Sequence, residues 1–241
     1  MKLNPSKCKV IYFGRKNPKH SYLLLGEEVP PVDHYRELGV IVDPCFSFTF
    51  HVANLSRKCF VICNSILKSF SKRNLAFIIK IYNTYVLPII TYGIPFFSLT
   101  RIQVIEQVEN IQRKFTKKLL TRNNIELNYP SRLALLELQP LELMFLKTGL
   151  ILIYRIIGTN RPLRLILPPL LDSSSRNSTY EFRLKLKCSK VSSSLFPDSY
   201  ISIWNQLPIS IISAASLAAF RQSLDSFDFA QFLKGRASKA L

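Results

Sequence analysis

Lys2, Lys7, Lys9, Arg15, Lys16 and Lys19 give the first twenty residues six bases and no acid, and Arg113, Lys114, Lys117, Lys118 and Arg122 form a second basic run further along. Clustered ammonium and guanidinium groups do one kind of chemistry well: they replace the counterions of a polyanion. The whole chain tilts the same way, with 33 Lys and Arg against 15 Asp and Glu and a formal net charge of +18. Such an excess favours a polyanionic partner over a neutral one, and anionic lipid would also satisfy it. Runs of bases also serve simply to solvate a helix face. The lack of acids at the start of the chain argues for contact.

Groups suited to bond-making are scarcer. Nucleotidyl transfer by two metal ions needs carboxylates gathered on adjacent strands. The adjacent acids Glu27 and Glu28 stand beside Gly26 at what reads as a hairpin tip, where a solvated turn is expected rather than a metal site. Cys59 and Cys63 are one helical turn apart, but no second pair or neighbouring His completes a zinc site, so they read as core thiols. His20, His34 and His51 are scattered, and seven glycines build no phosphate loop. No catalytic residue, metal ligand or cofactor site is therefore assigned. Five cysteines without regular spacing, and no apolar leader, point to an intracellular protein, nuclear or cytoplasmic and not secreted.

The elements that must position these groups follow from periodicity. Cys8 to Phe13 alternates as a strand with one buried face, and sheet pairing should stop near Asp43-Pro44. Helices follow. Val52, Leu55, Cys59, Ile62, Ile66 and Phe70 make one apolar stripe from about Thr49 to Ser71. Asn74 caps a second helix. A third runs from about Arg101 to Leu120, with Glu106 and Glu109 early and the bases late, the order that the helix dipole favours. Ser131 is the expected cap of a short helix, and Pro140 opens one that reaches Ile157 and stops at Gly158. Residues 161–180, rich in Pro, Ser and Arg, read as a linker. Phe182 to Cys188 then alternates as a strand, followed by helices around Tyr200 to Gln206 and from about Ala214 to Phe227. Between Lys80 and Arg101 there is no charge, yet Pro88, Gly93 and Pro95 interrupt the run and Asn83, Thr84 and Thr91 would lack partners in lipid, so no membrane span is expected.

The expected fold class is thus α+β, mainly α. A short antiparallel hairpin and sheet remnant occupies 1–46, a helical region 47–158, a linker 159–181 and a small C-terminal α/β region 182–241. With 48% hydrophobic residues in 241, the chain has enough apolar surface for one or two cores.

Several motifs in order carry a resemblance. Asn4-Pro5-Ser6-Lys7 followed by Val10-Ile11-Tyr12-Phe13-Gly14, then Leu38-Gly39-Val40-Ile41-Val42-Asp43, resembles the region just after the catalytic aspartates in reverse transcriptases of non-LTR retrotransposons (LINE elements) of the jockey and chicken-repeat type. Tyr82-Asn83-Thr84-Tyr85-Val86-Leu87-Pro88 through Tyr92-Gly93, Gln112-Arg113-Lys114-Phe115-Thr116, and Trp204-Asn205-Gln206-Leu207-Pro208 are similar to later segments of the same family.

The resemblance implies the end of a polymerase palm, a helical thumb and a C-terminal region. It implies a transposable-element RNA-directed DNA polymerase of which this chain holds the part after the paired aspartates, inactive alone. Mg²⁺ would be needed only by the complete enzyme, and the partners would be RNA or DNA as a template-primer duplex, together with the palm and fingers. Lys7 would match a lysine proposed to protonate pyrophosphate, against a plain reading as a solvated loop lysine. Leu38 and Gly39 would lie near the grip on the primer end. With Lys7, Lys9, Arg15, Lys16, Arg113, Lys114, Lys117, Lys118 and Arg122, they make up the expected nucleic-acid-binding set. A stand-alone basic binding module without catalysis remains the alternative.

Overall fold

Asn4 begins the described chain by capping a single 3-10 turn, Pro5–Lys7: its side chain accepts the Ser6 N–H at 3.1 Å. The computed structural model describes residues 4–14, 16–70, 74–93, 101–158, 184 and 198–235. These form two compact units, Met1–Asn54 and Leu55–Leu241. The fold is α+β and mainly helical, with its strands at the N-terminus.

Unit one is built from two tight hairpins. β1 (Leu23–Leu24) pairs antiparallel with β2 (Glu27–Glu28), and β3 (Tyr35–Glu37) pairs with β4 (Val40–Val42). Each two-residue loop is Leu-Gly, with φ of 53° and 85° at Leu25 and Gly26 and 46° and 89° at Leu38 and Gly39. Positive φ at both loop positions matches the right-handed twist of the strands, and glycine adopts it freely. Leucine does not, so each turn stores about 1–2 kcal/mol of backbone strain. The tips project, leaving Leu25 76% and Leu38 82% exposed. Glu27 and Glu28 are therefore on the returning strand rather than at the tip itself.

The expected strand Cys8 to Phe13 is not formed. Its pairing reduces to one parallel bridge, Val10 to Pro31, in which Val10 donates to the Pro30 carbonyl at 3.2 Å and accepts from Val32 at 2.9 Å. The opposing Pro30 and Pro31 have no N–H, so the ladder cannot extend. Beyond β4 the chain turns on Asp43. Its carboxylate accepts the Cys45, Ser47 and Phe48 N–H groups at 2.9 to 3.1 Å and the Ser47 hydroxyl at 2.8 Å. Burial raises its pKa, but these hydrogen bonds outweigh burial and hold it below the usual value. His51 takes the Ile41 N–H on Nδ1 at 3.3 Å, and burial followed by the Arg36 charge lowers its pKa.

α1 (Thr49–Ser69) starts in unit one and continues through the second. Asn74 caps α2 (Leu75–Tyr85) as expected, accepting the Phe77 N–H at 2.8 Å; such a cap stabilises a helix by about 1 kcal/mol. Pro88 stands in the first turn of α3 (Leu87–Thr91). α4 (Ile102–Thr121) buries Val104, Val108, Ile111, Phe115 and Leu119, and Phe115 stacks on Tyr82 with centroids 4.5 Å apart. α5 (Tyr129–Leu135) is capped by Asn128, not by the expected Ser131, whose N–H instead donates to the Asn128 side chain at 2.9 Å. The Asn128 side chain supplies the cap three residues earlier, and Pro130 falls in the first turn, where its missing N–H has no helical partner to lose.

α6 (Leu141–Ile157) is the central helix of the unit. Its Leu146, Leu150, Ile153 and Ile156 share a core with Tyr200, Ile201 and Trp204 and with Phe220 and Leu224. These come respectively from α7 (Asp198–Trp204) and α9 (Leu217–Ser226), with α8 (Ile209–Ile212) between them. The Tyr200 ring lies directly on Gly149, leaving no room for a Cβ. Residues 198–235 thus complete the core of α6 rather than standing apart. Of the expected strand Phe182 to Cys188, Leu184 is among the described residues, and its N–H and carbonyl both bond the Asn205 side chain, at 3.0 and 2.8 Å. The expected linker 159–181 lies outside the described residues.

Candidate nucleic-acid interface

α4 distributes its bases around its circumference rather than on one face. Lys114 and Lys118, one turn apart, lie toward α1: the Lys114 ammonium sits 5.0 Å from the Phe60 ring centroid and Lys118 donates to Asn64 at 3.0 Å. Arg122 continues this row, donating to the Leu67 carbonyl. That bond ties the ends of two helices, so Arg122 has a structural task in addition to its charge. Arg113 points the other way. It pairs with Glu106 at 3.4 Å and stacks over the Tyr129 ring at 5.3 Å. Among the described residues none of Lys114, Lys117 and Lys118 is paired with a carboxylate, and all three are exposed.

The neighbouring helix adds bases that the motif-based reading passed over. Arg57, Lys58 and Lys68 are exposed on α1. The signal for them was present: no Asp or Glu occurs between Asp43 and Glu106. An acid-free stretch of that length keeps α1, α2 and the start of α4 at one sign of charge, and a polyanion meets no local repulsion there. Exposed aromatic rings are interleaved, Tyr85 at 63% and Tyr92 at 56% exposure, which suits base stacking beside phosphate contacts.

In unit one, Lys7 ends the 3-10 turn with its side chain exposed and its carbonyl accepting the Tyr35 hydroxyl at 3.3 Å. Lys9 and Lys16 are also exposed. Leu38 and Gly39 form the tip of the second hairpin. Arg15 lies outside the described residues.

The α4 acids have different duties from those the helix dipole suggested. Glu109 is buried. Its Oε1 accepts the Tyr129 hydroxyl and its Oε2 accepts the Leu141 and Glu142 N–H groups at 2.9 and 3.3 Å. It therefore caps α6, whose own N-cap, Pro140, has no side-chain acceptor. Burial pushes its pKa up to about 7, against the hydrogen bonds and the Arg113 charge, which pull it down. Gln112 extends this network by joining Tyr82, Tyr129 and the Gln139 carbonyl at 3.3, 3.3 and 3.0 Å.

Cys59 and Cys63 are buried core residues, with burial pushing their thiols up to about 11 and about 12. Glu27 and Glu28 are exposed, and among the described residues no three His, Cys, Asp or Glu side chains gather as a metal site. The described residues do not fit the two Mg²⁺ of a polymerase. No described helix is long and apolar enough to cross a membrane.

The fold and these surfaces define a mainly helical α+β protein with an acid-free, basic helical region. An uncharacterized protein of Caenorhabditis elegans is 27% identical over 99 residues, which are 41% of this chain and 50% of that protein. The chain thus spans about half the length of the relative it matches. No family model matches the chain, and no solved structure matches it.

Proposed function

We propose that this chain binds nucleic acid through the basic faces of α1 and α4, in the manner of the thumb of a non-LTR retrotransposon reverse transcriptase. The observation that carries this reading is the exposed pair Lys114 and Lys118 packed against α1 at Phe60 and Asn64, with Arg57, Lys58 and Lys68 of α1 exposed in a stretch that holds no Asp or Glu. The ordered motifs from Asn4 to Pro208 supply the family kinship. Contacts from these lysines are to backbone phosphates, so binding is sequence-independent and salt-sensitive. The strained Leu38 tip, an exposed apolar side chain held in an unfavourable conformation, agrees with a role in contact.

The test is fluorescence anisotropy of the full chain with a labelled single-stranded RNA and with an RNA-DNA hybrid across a salt series. Lys114, Lys117 and Lys118 contacting three phosphates give a log-log slope of about −2 on single strands. Replacing all three by alanine flattens the slope by that amount. A flat response of the parent protein, or an unchanged slope in the triple variant, overturns the proposal.

A further inference from the structure

A cavity of about 430 Å³ opens between the last turns of α4 and the segment leading into α5. That volume is in the range of small-ligand sites, about 300–1,000 Å³. Lys117 and Thr121 line it from the helix, Ile125, Glu126 and Leu127 from the connecting segment, and Arg132 from α5. Arg132 is the unusual member. It is only 7% exposed, yet no described carboxylate pairs with it. Its Nη1 donates to the Leu127 carbonyl at 3.0 Å, its Nη2 makes a long 3.5 Å contact to the Arg113 carbonyl, and its Nε–H has no acceptor. Its guanidinium and that of Arg113 each sit 5.3 Å from the centroid of the Tyr129 ring. A buried cation is normally paired, because leaving it uncompensated is costly. Here the charge has neutral partners and an open cavity beside it.

We propose that this cavity is a binding site for a single phosphate group, with Arg132 and Lys117 as its cations. Two cations against the one carboxylate of Glu126 leave the site net positive, and Thr121 adds a hydroxyl. The aliphatic side chains of Ile125 and Leu127 are suited to lie against an attached sugar. The phosphate comes either from a nucleic-acid backbone, which rests on the reading of α4 above, or from free phosphate, which does not.

The experiment follows the Arg132 Nε–H resonance of the ¹⁵N-labelled full chain by NMR. It is titrated with inorganic phosphate at constant ionic strength, with chloride as control, and separately with a short oligouridylate. The expected result is a saturable shift with phosphate and none with chloride. Thr121→Trp, which fills the cavity without changing charge, abolishes that shift while the spectrum stays dispersed. Glu126→Gln tightens phosphate binding by about two- to fivefold, the scale of an exposed charge pair. A response identical for phosphate and chloride overturns the site. So does an Arg132 resonance that phosphate leaves unmoved while oligouridylate shifts residues around Lys114 and Lys118, an outcome that keeps the proposed function. A saturable phosphate shift with no response to oligouridylate supports the cavity, with free phosphate as its ligand.

Discussion

Replacing Glu109 by Gln tests whether a buried carboxyl group holds α6 in place, and the sign of its effect with pH is fixed by the structure. Burial raises the Glu109 pKa from 4.5 to about 7. Between those values the unfolded chain has lost this proton while the folded chain keeps it, so the group's contribution to stability is present below pH 4.5 and falls as pH rises to about 7. At about 1.4 kcal/mol per unit, the loss across that window is roughly 3 kcal/mol. Gln keeps an amide oxygen for the Leu141 and Glu142 N–H groups and cannot ionise. Urea unfolding of both proteins at intervals from pH 4 to 8 isolates Glu109, because groups such as His51 are common to the two. The variant's stability relative to the parent should climb with pH by roughly 3 kcal/mol and level off above about pH 7. Parallel profiles, or a difference that falls with pH, would refute the reasoning.

Gly149→Ala forces a Cβ into the Tyr200 ring, and thermal melting should show a loss of about 2 kcal/mol or more, in the range of overpacked cores. An unchanged melt would mean that α6 and α7 separate easily. Leu25→Asn and Leu38→Asn each relieve a left-handed leucine and should raise stability by about 1 kcal/mol in urea unfolding. On the thumb-like reading, RNA anisotropy should weaken with the second and not with the first; equal effects would remove Leu38 from the contact. Iodoacetamide at pH 8, mapped by mass spectrometry, should label exposed Cys45 in the native protein while Cys59 and Cys63 wait for denaturant. Rapid native labelling of Cys59 would show that α1 is not packed as described.

The sequence by itself determined the helices, because a stripe such as Val52, Leu55, Cys59 and Ile66 has one period that buries it, and Asn74 and Gly158 mark ends through local hydrogen-bonding geometry. It also determined the excess of positive charge. The limits of local patterning are visible at Val10, where alternation suggested a strand but the opposing Pro30 and Pro31 of the same chain had no N–H to pair with. They are visible again at Glu109, which the order of charges along α4 showed only as an early acid that suits the helix dipole. Only the tertiary structure turned that acid inward to cap a helix beginning at Leu141, and only it split the basic run of α4 among different neighbours. Arg113 went to Tyr129, Lys114 and Lys118 to α1, and Lys117 to the cavity that Arg132 lines. The physical reason is range. Periodicity and caps act within a few residues, whereas the partner of a buried charge is whatever distant backbone the packing of other helices brings within about 3 Å.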